Sequence, residues 1–71
     1  MHKGIVKWFN RERGYGFIKV PGRSDAMVHK SFLVPDMPRK YLITGEVVEF
    51  DLYEGKPHYL AKNVRIMDKY T

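Results

Sequence analysis

The sequence predicts a small all-β domain: five short antiparallel strands closed into a barrel. Three observations lead there. Five separate short stretches read as strands, and the fourth alternates apolar and polar residues cleanly, as in a strand buried on one face only. Clusters of glycine, proline, asparagine and aspartate separate those stretches. No stretch carries a sustained helical period of three to four residues. Closing the strands into a barrel removes the free sheet edges that five short strands would otherwise expose.

The first strand is expected from about Lys3 to Asn10. Its alternation fails, because Ile5, Val6, Trp8 and Phe9 are all apolar. A bulge near Trp8 is the expected remedy, turning two neighbours to one side. Asn10 to Arg13 is a polar turn. The second strand then runs from Tyr15 to Val20, with Tyr15, Phe17 and Lys19 outward and Gly16, Ile18 and Val20 inward. Pro21 to Asp25 is the strongest turn signal in the chain, combining a preset φ, a glycine and two local hydrogen-bonding side chains. The third strand, Ala26 to Lys30, puts Ala26 and Val28 inside and Met27 and His29 outside. One helical turn follows at Ser31–Leu33, with Ser31 as its expected cap and Phe32 and Leu33 as core plugs. Val34 to Leu42 is a connection, and Thr44-Gly45 a turn. The fourth strand, Glu46 to Glu54, alternates Val48, Phe50 and Leu52 inward with Glu49, Asp51 and Tyr53 outward. After Gly55-Lys56-Pro57, the fifth strand spans about His58 to Met67, with Ala61, Val64 and Ile66 in the core.

Seventy-one residues suffice for one domain, expected over 1–71. So short a chain buries only about 60% of the surface its unfolded form exposes. Its stability is expected to be on the order of 3–5 kcal/mol. There is no cysteine, which suits a reducing cytoplasm. No apolar run approaches the roughly 20 residues a membrane helix needs, and the N-terminus lacks a secretory pattern. The formal net charge is +5, and it is unevenly spread. Residues 1–30 hold seven Lys and Arg against two acids, whereas residues 31–71 hold six of each.

That basic half contains the stretch Lys7 to Ile18, which packs Trp8, Phe9, Tyr15 and Phe17 together with Lys7, Arg11 and Arg13. Tyr15 and Phe17 stand two apart, so a strand presents both rings on one face. Gly14 and Gly16 beside them leave that face flat. A charge excess alone signifies a solvated surface; interleaved with rings, it suits single-stranded nucleic acid, where a basic groove tracks phosphates and rings stack on bases. His2, His29 and His58 are scattered and show no metal-ligand spacing. No nucleophile, base and orienting carboxylate come together, and Gly14-x-Gly16 is too short for a phosphate loop. The chain is therefore expected to be neither an enzyme nor a cofactor carrier.

Lys3 to Asn10 (Lys-Gly-Ile-Val-Lys-Trp-Phe-Asn) and Gly14 to Ile18 (Gly-Tyr-Gly-Phe-Ile) resemble the opening of a cold-shock domain. Arg13 to Phe17 is similar to that family's first ribonucleoprotein motif, and Asp25 to His29 to its second. The resemblance runs from about Lys3 to Val64. It implies an OB-fold barrel that binds single-stranded RNA or DNA, pyrimidine-rich by preference, as an RNA chaperone or a transcription antitermination factor. The expected site comprises Lys7, Trp8, Phe9, Tyr15, Phe17, Met27, His29 and Lys30, with Arg11 and Arg13 at the rim; of these, Trp8, Phe9, Tyr15, Phe17 and His29 are carried over by position from the resemblance. Met27 and Lys30 stand where the family has phenylalanines, and Tyr15 where it usually has another. Two lost rings predict weaker, more salt-sensitive binding than a standard member shows. Met37, Pro38 and Tyr41 are the candidates for the aromatic that usually follows the third strand. The competing reading is a protein-interaction module that keeps the barrel and docks on a polymerase or ribosome. A monomer is expected, with a strand-swapped dimer as the alternative.

Overall fold

A computed structural model describes residues 1–67; the last four positions of the domain expected over 1–71 lie outside the described residues. The elements are β1 (His2–Asn10), β2 (Tyr15–Lys19), β3 (Ala26–His29), a 3-10 turn (Lys30–Phe32), β4 (Val47–Tyr53) and β5 (Tyr59–Ile66). They close into a barrel in the order β1-β2-β3-β5-β4. Four pairings are antiparallel, as expected, but β3 and β5 run parallel. That departure is forced by parity. A closed ring with an odd number of strands cannot alternate direction all the way round, so one seam must be parallel. Here it is short, with Ala26 opposite Tyr59 and Met27 opposite Leu60.

In β2, β3 and β4 the inward residues are those the alternation selects, whereas β1 and β5 carry bulges. Val6, Ile18, Val28, Val48, Phe50 and Val64 are the largest fully buried side chains. Each contributes about 1.5–3 kcal/mol of gross burial free energy before chain entropy is charged against it. Leu33 joins this core, while Phe32, Leu52 and Ile66 are only partly buried against it.

Two bulges adjust the ring. In β1 the register steps between Val6, opposite Ile18, and Trp8, opposite Phe17. In β5 it steps between Arg65, opposite Glu49, and Lys62, opposite Asp51. The second step contains Asn63, whose φ is +52°. Asparagine tolerates that left-handed conformation better than most residues. The extra residue explains why Ala61 and Val64 both face inward although three positions separate them.

The 3-10 turn departs from expectation in its cap. His29, not Ser31, occupies the cap position, and its Nδ1 accepts the Ser31 N–H at 3.1 Å. Ser31 sits inside the turn, so its backbone N–H is the donor that needs a partner. The long connection is tied down elsewhere. Arg39 pairs with Glu46 and donates to the Tyr41 carbonyl at 2.7 Å, and Glu46 also accepts the Ile43 N–H at 2.7 Å.

Candidate nucleic-acid interface

The β1 bulge decides which rings reach the surface. Without it, Trp8 would share the inward face of Val6. With Lys7 as the extra residue, Trp8 turns outward opposite Phe17, and 40% of its surface is exposed. The neighbours sharing the outer side are thus Lys7 and Trp8. The family resemblance, which puts both Trp8 and Phe9 in the site, implied Trp8 with Phe9 instead. Phe9 returns to the core side opposite Gly16 and is only partly buried. Gly16 makes room for it. A Cβ there would lie 2.1 Å from the Trp8 carbonyl oxygen and 2.6 Å from the Phe9 Cα.

The β1–β2 turn brings its own constraints. Gly14 has φ +77°, a value that favours glycine. Its N–H donates to the Asn10 carbonyl at 2.7 Å, and the Asn10 side chain accepts the Arg13 N–H at 2.9 Å. The Gly14 carbonyl accepts the Lys30 N–H at 2.8 Å, which ties this hairpin to the end of β3. Arg13 and Lys30 are both exposed beside the turn.

On the outer face the rings form one contiguous group. The Trp8 and Phe17 centroids are 5.3 Å apart, and those of Trp8 and Tyr15 are 5.7 Å apart, edge to face. Across the next pairing Tyr15 lies opposite His29 and Phe17 opposite Met27. The structure therefore brings Trp8, Tyr15, Phe17, Met27 and His29 onto one surface, with Lys7, Arg13 and Lys30 around it. Half-exposed rings at this spacing offer flat faces to planar ligands. The donation from Ser31 to His29 Nδ1 means that the neutral ring carries its proton on Nε2.

Two basic residues of the expected site, Lys7 and Arg11, are engaged within the protein. Lys7 Nζ pairs with Asp25 at 2.8 Å, with both side chains partly in solvent. Such a pair contributes at most about 1 kcal/mol. Asp25→Asn is therefore expected to leave the melt nearly unchanged. It should raise affinity for a polyanion up to about fivefold at low salt, because Lys7 is freed. Paired melting and titration of the two proteins check this. Arg11 lays its guanidinium 3.7 Å over the Tyr41 ring. Of the three residues weighed for a further aromatic after β3, Met37 is buried in the core and Tyr41 carries this arginine.

Sequence reasoning missed two rings. His58 stands edge-on to Phe17 with centroids 5.0 Å apart. The short parallel seam brings it there, and no local pattern announces a pairing between strands so distant in sequence. Phe32 was expected to plug the core, yet it is only partly buried and its ring meets His29 at 6.0 Å. Its place three residues after an outward histidine, across a tight turn, was the available signal.

Among the described residues no cluster of His, Cys, Asp and Glu could hold a metal ion, and no helix is long and apolar enough to cross a membrane. Comparison with known proteins gives consistent matches. The model of the "Cold-shock" DNA-binding domain matches residues 2–67. The chain is 49% identical over 61 residues to the major cold shock protein CspA of Bacillus cereus, covering 86% of this chain and 90% of that protein. Its identity and coverage against the protein of the same name in Bacillus anthracis are the same. To cold shock protein CspA of Staphylococcus aureus it is 47% identical over 64 residues, covering 90% of this chain and 96% of the relative.

Proposed function

We propose, for a chain that belongs to the cold-shock domain family, that its nucleic-acid binding is directed to single strands and works by stacking bases on the β1–β3 face. The family binds nucleic acid and is not an enzyme family. In this reading Trp8, Tyr15, Phe17 and His29 stack bases, while Met27 supplies apolar contact, joined only by the part of Phe9 that the core leaves uncovered. Lys7, Arg13 and Lys30 meet phosphates, with Arg11 at the rim. The observation that carries the reading is the contiguous group of half-exposed rings in the basic half of the chain. Stacking accepts any base, so sequence preference is modest, and pyrimidine-rich strands, which stack least on themselves, are the best ligands.

The biological role that follows is that of an RNA chaperone or antitermination factor. Each stacked base contributes about 1–3 kcal/mol. A base-pair step in a duplex is worth about 1.4 kcal/mol. Capturing a few unpaired bases thus offsets the opening of a few marginal pairs and leaves stable duplexes intact. We place this activity in the cytoplasm, in a monomeric single domain spanning residues 1–71.

Trp8 is the only tryptophan in the chain, so its fluorescence reports the site directly. Adding oligothymidylate or oligouridylate is expected to quench it. The logarithm of affinity should fall against the logarithm of salt with a slope of about −2 to −3, for three or four phosphate contacts. Unchanged emission and mobility with RNA and DNA at low salt would overturn the proposal and favour a module that docks on proteins.

A further inference from the structure

The outer face of β4 and β5 carries a second group of rings around a cation. Lys62 projects outward from β5, with Nζ 5.3 Å from the Phe32 ring centroid and 5.2 Å from that of Tyr53. Phe32 in turn meets His29, the last ring of the β1–β3 face. Tyr53 is 48% exposed, more than Trp8 at 40%. The group therefore continues the first platform past His29 and around the barrel.

We propose that His29, Phe32, Lys62 and Tyr53 form a second stacking subsite. It takes further unpaired nucleotides of a strand already seated on Trp8 and Phe17, so it rests on the reading above. Lys62 has no ion pair among the described residues. The acid opposite it, Asp51, accepts a hydrogen bond from the Asn63 side chain at 2.8 Å. An ammonium held beside one exposed and one partly buried ring, at more than 5 Å from each centroid, is weakly bound there. It swings to a phosphate when one arrives, and the ring faces it covered become open to bases. The subsite supplies rings close to where Lys30 removes one. The chain's aromatic path is thereby displaced, not shortened.

Strand length separates this subsite from the first platform. The test uses oligothymidylates of about four and about ten nucleotides, lengths within the range one such barrel covers. Tyr53→Ala and Lys62→Gln are expected to weaken the longer strand by roughly five- to tenfold. The loss on the shorter strand should be at least fivefold smaller. Asp51→Asn, which removes a charge facing the proposed phosphate, should tighten the longer strand only. Both side chains altered in the main test are at the surface, and a thermal melt verifies that each variant folds. Equal effects on the two strands, or no effect on either while Trp8 is still quenched, would overturn the second subsite alone. If the unaltered protein quenches with neither strand, the first platform fails as well.

Discussion

Replacing Phe17 by alanine is expected to weaken binding of an unstructured pyrimidine strand by roughly fivefold to a hundredfold, or about 1–3 kcal/mol. Phe17 is the centre of the platform. Its ring lies 5.3 Å from Trp8 and 5.0 Å from His58, and its backbone lies opposite Met27. Removing it deletes one stacking face and leaves its two neighbours unsupported on one side. Stability should change little by comparison, because Phe17 is half-buried on the outer face whereas Phe50 holds the interior with no exposure. Titration by Trp8 fluorescence, alongside a urea melt, reads both quantities. A folded variant that binds within twofold of the parent would remove Phe17 from the site.

Gly16→Ala is expected to act in the opposite way, on the fold first and on binding only through it. The added methyl would sit 2.1 Å from the Trp8 carbonyl oxygen and 2.6 Å from the Phe9 Cα. Both are backbone atoms, so no rotamer change relieves the clash. Only separation of β1 from β2 does, at the pair Phe9 and Gly16. Overpacking of this kind costs about 1–3 kcal/mol and sometimes more. A domain of this size has on the order of 3–5 kcal/mol in total. That leaves a margin of about 0–4 kcal/mol, so a large drop in the urea midpoint is expected. A midpoint equal to the parent's would mean that the two strands have slack the geometry denies.

The two substitutions sit next to each other in sequence and separate what a strand does on its two faces. That much was legible from the chain. Tyr15 and Phe17, and later Met27 and His29, alternate with small or apolar residues, and a strand has only two sides. The failure of alternation around Val6 and Trp8 announced a bulge. Which neighbours it would pair was not legible. Lys7 and Trp8 share the outer side because β2 sets the register, and β2 is a separate segment. The cap of the 3-10 turn was misassigned for a related reason. Serine is the commoner cap, but here the imidazole of His29 already lies where the Ser31 N–H points.

The meeting of His58 with Phe17, and of Lys62 with Phe32 and Tyr53, belongs to the part no local pattern reveals. His58 reaches Phe17 through a parallel seam of two residue pairs. Lys62 meets Phe32 and Tyr53 because a bulge at Asn63 and a one-turn helix happen to converge there.

By itself, the order of residues determined five strands, their inner and outer faces, the basic and aromatic character of the first thirty positions, and the family likeness. Those properties depend on near neighbours: side chains alternate every second residue, and glycine and proline turn the chain locally. Tertiary structure alone decided the register at both bulges, the parallel closure of the ring and the rings gathered across it. These depend on the meeting of segments far apart in sequence, where the packing of one strand's side chains against another's selects a single alignment.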